Sequence, residues 1–144
     1  MTKSGTSLGD NDTVLRMFDN KYRRADGTIR LDAFKIRDNG KDADGLSVTR
    51  KGDRMIGTIE QALDLKNQGK RLCYLQPADI RNIFAAHENA LDVVSAPTAN
   101  DFLHALIVGK PIVSDDKALK RRVAELLSSR AICCNESLHQ TANE

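Results

Sequence analysis

His104 is the first residue of this sequence whose surroundings invite chemistry. It lies inside the apolar run 102–108, three residues after Asp101 and four after Asn100. On a helix, Asp101 would touch His104 at i, i+3 and orient its ring, the minimum arrangement for general base work. On a strand, His104 would share a face with Phe102, Leu106 and Val108. The plainer reading is a packed histidine whose ring nitrogens bond backbone carbonyls, since no nucleophile is recognisable nearby. A polar loop feeding a rigid apolar element is where binding residues tend to sit. Asn100, Asp101 and His104 are therefore expected to line a cleft, with Lys35 or Arg50 supplied by the first half of the chain.

The other candidates are weaker. His87 sits beside Glu88 on an apolar helical pattern and reads as a core-edge histidine; His139 is in the polar tail. Nothing in their spacing demands a metal. The Asp-rich loop 38–45 resembles a calcium loop, but placing Gly45 at the required glycine puts Gly40 at the first ligand position and Lys51 at the bidentate one. Gly109-Lys110 and Gly69-Lys70 each end like a phosphate loop, yet His104 and Asp64 stand where the earlier glycine belongs. Cys73, Cys133 and Cys134 form no C-x-x-C pair and no even disulfide set, so they read as buried thiols. No metal and no cofactor is expected.

Two basic clusters remain. Lys21-Tyr22-Arg23-Arg24, with Arg16 upstream, combines cations with a ring that could stack on a base. Lys120-Arg121-Arg122 falls on the wet side of a helix. Each also reads as a solubilising face.

The elements that must position these residues follow from periodicity. Val14, Leu15, Met17 and Phe18 form the first apolar cluster, after a polar stretch 1–12 with little to bury. Residues 28–36 alternate as a half-buried strand until Phe34 and Ile36 switch parity. Leu46 and Val48 face inward on a second strand. Thr58 with Gln61 resembles a capping box for a helix ending at Gly69. Segment 72–75 reads as a buried strand, Pro77 opens a helix that carries Ile80, Ile83, Phe84 and His87 on one face, and 91–94 is a further strand. The run 102–108 fits either type. Ser114 is expected to cap a last helix with Leu119, Val123, Leu126 and Leu127 on its core face.

With 144 residues, 40% hydrophobic and 29% charged, the chain has the make-up of one globular domain able to fold without metal or disulfide. The balance of 22 basic and 20 acidic residues lacks the excess of a strong nucleic-acid binder. The N-terminus lacks a signal peptide's apolar region, and no run approaches the ~18 residues of a membrane helix. A cytoplasmic protein is expected. The pattern predicts a single α+β domain over 13–134, with a sheet of roughly three to five short strands, about three helices, and flexible termini at 1–12 and 135–144.

Asp26-Gly27, Asp32-Ala33-Phe34-Lys35, Gly45-Leu46-Ser47-Val48 and His104-Ala105-Leu106-Ile107-Val108-Gly109 occur in an order that resembles an uncharacterised family of small bacterial proteins. The likeness would span 13 to about 127. Asn100-Asp101-Phe102-Leu103 departs from it, standing where Asn-Pro-Ala would precede the histidine. The resemblance implies a short accessory or mobile-cassette gene and transfers no catalytic residue. The leading expectation is a non-catalytic binding or interaction module with a protein or small-molecule partner, homodimeric because short strands leave edges that need cover. One alternative is a small hydrolase or nuclease using His104 with Asp101. The other is an RNA- or DNA-binding accessory protein using Lys21, Arg23 and Arg24.

Overall fold

Alternation along β1 (Val14–Asp19) sends Val14, Arg16 and Phe18 to one face of a sheet and Leu15, Met17 and Asp19 to the other. The computed structural model describes residues 5–36, 45–65, 67–84, 90–113 and 115–134. His87, His139, Ser114, loop 38–44 and tail 135–144, each given a role above, lie outside them. The described residues form an α+β domain with six strands and four α-helices, one strand and one helix beyond expectation. β2 (Leu46–Arg50), β3 (Lys70–Leu75), β4 (Asp92–Ser95), β5 (His104–Val108) and β6 (Ile132–Cys133) join β1 in the order β4-β5-β2-β1-β3-β6, every pair antiparallel.

One face of the sheet carries the main core. Val14, Phe18, Leu46, Val48, Cys73, Val93, Ala105, Ile107 and Cys133 are buried there with Val123, Ala124 and Leu127 of α4 (Lys117–Arg130). On the opposite face, Leu15 and Leu72 meet Ile59 of α1 (Ile56–Leu63), Leu65 and Cys134. The remaining helices are α2 (Pro77–Asn82) and the short α3 (Lys110–Val113). α2 opens on Pro77 as expected but does not reach Ile83 or Phe84, because Ile83 is extended and Phe84 takes a positive φ of 56°. None of the described helices is long and apolar enough to cross a membrane.

β5 resolves the ambiguous run 102–108 as a strand paired with β2 from Leu46↔Ile107 to Thr49↔His104. Glycines set the end of that pair. A Cβ at Gly45 would stand 2.8 Å from the Ile107 carbonyl oxygen, and one at Gly109 would stand 2.9 Å from that of Ala90. β1 pairs with β2 only at Val14↔Arg50 and Leu15↔Thr49, after which the two strands part. Arg16 fills the gap: its Nε donates to the Ala33 carbonyl at 2.8 Å and its Nη1 to the Ser47 carbonyl at 2.7 Å.

Further local expectations are corrected. Residues 28–36 are not a strand: Ile29 bridges back to Arg23, and Leu31–Phe34 winds into a 3-10 turn that buries the adjacent pair Ala33 and Phe34. Two consecutive buried side chains cannot share one face of a strand. Thr58 caps nothing, because α1 starts earlier with Met55 at its N-cap. That helix ends at Asp64, which takes the left-handed conformation (φ 52°) before Gly69 is reached and turns Leu65 back into the core. The cap of α4 is Asp116, whose carboxylate accepts the Leu119 amide at 3.1 Å, since α3 occupies the chain just before it. Finally, the N-terminal arm has something to bury. Leu8 is only 4% exposed, and residues 5–8 run beside β4 through Gly5 N–H to Ser95, Ser95 N–H to Thr6 and Leu8 N–H to Val93.

Candidate functional site

The expected site residues separate into two places. His104 lies on the sheet face opposite the main core, half-buried, across the ladder from Thr49. Its Nδ1 is 2.8 Å from the Ala96 carbonyl oxygen, and its Nε2 is 3.2 Å from the Ser47 hydroxyl. A carbonyl can only accept, so Nδ1 carries the proton and, in the neutral ring, Nε2 accepts from Ser47. Asp101 does not orient this ring. Its carboxylate accepts the Thr49 hydroxyl at 2.7 Å and the Leu103 amide at 2.9 Å, while Arg54 donates to the same Thr49 oxygen at 2.9 Å. Arg50 is close by but pairs with Asp12 at 2.8 Å, and Asn100 is exposed. These polar groups knit the β2–β5 end of the sheet to loop 96–103.

The cluster at 21–24 is largely spent on local structure. Lys21 stands 5.3 Å above the Tyr22 ring, Tyr22 packs on the core, and Arg23 and Arg24 hold the turn that returns to Ile29. Arg16 is the internal strut already described rather than part of a surface patch.

Lys35 goes elsewhere, and its company is what spacing alone had not assembled. The 3-10 turn at Leu31–Phe34 packs against α4, and the seam between them is a cleft of about 380 Å³. Lys35 stands on one wall and Lys117, Lys120 and Arg121 on the other; Leu31, Ile36 and Ala124 supply apolar surface, and Asp32 is the one carboxylate in the lining among the described residues. Asp32 pairs with Arg30 at 3.6 Å. The Lys120-Arg121 dipeptide was visible in the sequence, but Lys117 was missed. Its i, i+3 and i, i+4 spacing to them on a helix was the available signal.

Leu31 also lines a second cleft, about 730 Å³, at the other end of α4, where Arg24, Asp26, Thr28, Glu125, Ser128 and Ile132 meet. There the Thr28 hydroxyl and amide hold the Asp26 carboxyl below its usual range, so it stays ionised. Arg121 and Arg122 both reach Glu125 at 3.4 Å. The groove along α4 is thus cationic at its N-terminal end and mixed in charge at the other. Neither cleft is lined by His104 or Asp101, and no three His, Cys, Asp or Glu side chains gather as a metal site among the described residues. Comparison with family models, curated proteins and solved structures finds no match.

Proposed function

We propose that this protein is a non-catalytic cytoplasmic binding module whose ligand site is the groove between the 3-10 turn and α4, and whose ligand is anionic. The observation that carries this is the convergence of Lys35, Lys117, Lys120 and Arg121 on one cleft where, among the described residues, the carboxylate in the lining is Asp32, already paired with Arg30. Four cations on two walls attract an anion by Coulomb energy that neither wall could supply alone. The three free, buried cysteines suit a reducing compartment. The bacterial, cassette-like grouping implied by the four sequence blocks belongs to the same proposal. Fluorescence anisotropy with a labelled polyanion tests it. Binding that weakens steeply with salt and is lost in the double variant Lys120→Glu/Arg121→Glu supports the reading; indifference to that variant overturns it.

A homodimer belongs to the same proposal; the arm at 5–8 runs along β4, so among the described strands the two-residue β6 is the edge it would use. Sedimentation velocity at micromolar concentration decides it.

One observation favours a second reading. The Ser47–His104 contact has the form of a nucleophile beside a base, which suits a small hydrolase better than the expected Asp101 pairing. Ser47 lines neither cleft. A fluorophosphonate adduct on Ser47, read by mass spectrometry and absent after His104→Ala, would favour hydrolysis; no adduct leaves the binding reading alone.

A further inference from the structure

We infer that the anionic occupant of the α4 groove is a short acidic and apolar peptide segment of a partner protein, not a nucleic acid. This rests on the binding-module reading above and adds the chemistry of the ligand. Single-stranded nucleic acid is held by cations that follow its backbone and by rings on which its bases stack. Among the described residues, no aromatic side chain lines either cleft. Their apolar surface is aliphatic: Leu31, Ile36 and Ala124 at one end, Ile29 and Ile132 at the other. Aliphatic surface of this kind takes up leucine- or isoleucine-like side chains.

The charge pattern along the groove points the same way. A phosphodiester backbone laid along α4 would leave the lysines and run past Asp26, which repels it, and past Glu125, which already engages Arg121 and Arg122. A peptide can place its carboxylates over Lys117, Lys120 and Lys35 and its apolar residues over Leu31 and beyond, because its charge need not repeat. The whole chain, at +2, also lacks the broad positive field that draws in a charged polymer. α4 rises ~1.5 Å per residue, so its 14 residues offer about 20 Å, the span of roughly six extended residues. The fitting ligand is such a segment, acidic at one end and aliphatic at the other.

Anisotropy with four labelled probes tests this: an acidic–aliphatic peptide (Glu-Asp-Glu-Leu-Ala-Leu), its all-glutamate counterpart, its lysine-substituted counterpart, and an oligothymidylate of matched length. The acidic–aliphatic peptide should bind at least about tenfold tighter than each of the others, and Lys120→Glu/Arg121→Glu should remove that binding. Lys35→Glu, on the opposite wall, should weaken it as well and serves if the double variant misfolds. Equal or tighter binding of oligothymidylate overturns the peptide inference while leaving an anion-binding groove. Equal binding of the all-glutamate probe does the same, since the aliphatic surface would then be idle. If no anionic probe binds, both the inference and the reading beneath it fall.

Discussion

Replacing Arg16 by methionine should destabilise the fold by about 3 kcal/mol. The substitution keeps an apolar stem of similar reach and removes every donor. Arg16 Nε donates to the part-buried Ala33 carbonyl at 2.8 Å, and a bond from a charged donor to such a group contributes ~1.5–3 kcal/mol. The bond to the Ser47 carbonyl is as short, at 2.7 Å, but exposed; water replaces it in the variant, so it adds about 0.5 kcal/mol. The guanidinium also lies 5.5 Å from the centroid of the buried Phe34 ring, a contribution of roughly 0.5–1 kcal/mol. No pairing of β1 with β2 continues beyond Leu15↔Thr49, so ladder bonds cannot compensate at that point. Equilibrium unfolding in urea, followed by far-ultraviolet circular dichroism, reads the change. With a slope of ~1–3 kcal/mol per molar, the midpoint should fall by about 1–3 M. The control is Arg122→Met, whose partner Glu125 is a surface contact at 3.4 Å and whose loss should cost at most ~0.5 kcal/mol. A shift for Arg16→Met no larger than that control would refute the strut.

Thr58→Ala should leave stability within about 0.5 kcal/mol, because Thr58 is exposed inside α1, whereas Asp116→Ala should cost about 1 kcal/mol through loss of the α4 cap; thermal unfolding of the two variants checks the contrast. Burial opposes ionisation of Asp92, but the Ser7 hydroxyl, the Arg81 guanidinium and the Val93 amide outweigh it and hold the carboxyl below its usual value. A depressed carboxylate contributes stability that is complete above the unfolded value of ~3.9 and is lost as pH falls through the folded one. The stability difference between wild type and Asp92→Asn should therefore be steady from about pH 5 to 7 and shrink toward about pH 3, its size limited by exposure to below ~1 kcal/mol. A difference that grows on acidification contradicts this. Burial pushes the Cys134 thiol up to about 12 and the Cys73 thiol further still. Iodoacetamide at about pH 8 should leave both unmodified in the native protein and label them in urea, as mass spectrometry of the tryptic peptides would read.

What the sequence made legible was local. Leu46 and Val48 face inward, Pro77 opens α2, and Val123 and Leu127 fill the core face of α4, because period-2 and period-3.6 patterns need no knowledge of the partner surface. Where neighbours decide, the pattern misled. Residues 28–36 alternate well enough for a strand, but Ala33 and Phe34 must both reach α4, and a tight turn is how adjacent side chains do so. Leu8 looked stranded in a polar arm because the β4 edge that receives it is formed far along the chain. The site divides in the same way. Asp101 and His104 were singled out by helical spacing, and a strand withdraws that contact while bringing Ser47 into reach from β2. Lys35 was chosen for the wrong company, since its true neighbours on α4 are set by the packing of the 3-10 turn.

The measurement that bears most directly on the central claim is a two-dimensional amide NMR titration of the labelled protein with the acidic–aliphatic peptide. Shifts should concentrate at Leu31, Lys35, Lys117, Lys120 and Arg121 and leave Ser47, Asp101 and His104 unmoved, because the two places lie on opposite faces of the sheet. Shifts centred on His104 or on Lys21–Arg24, with the α4 groove silent, would contradict it.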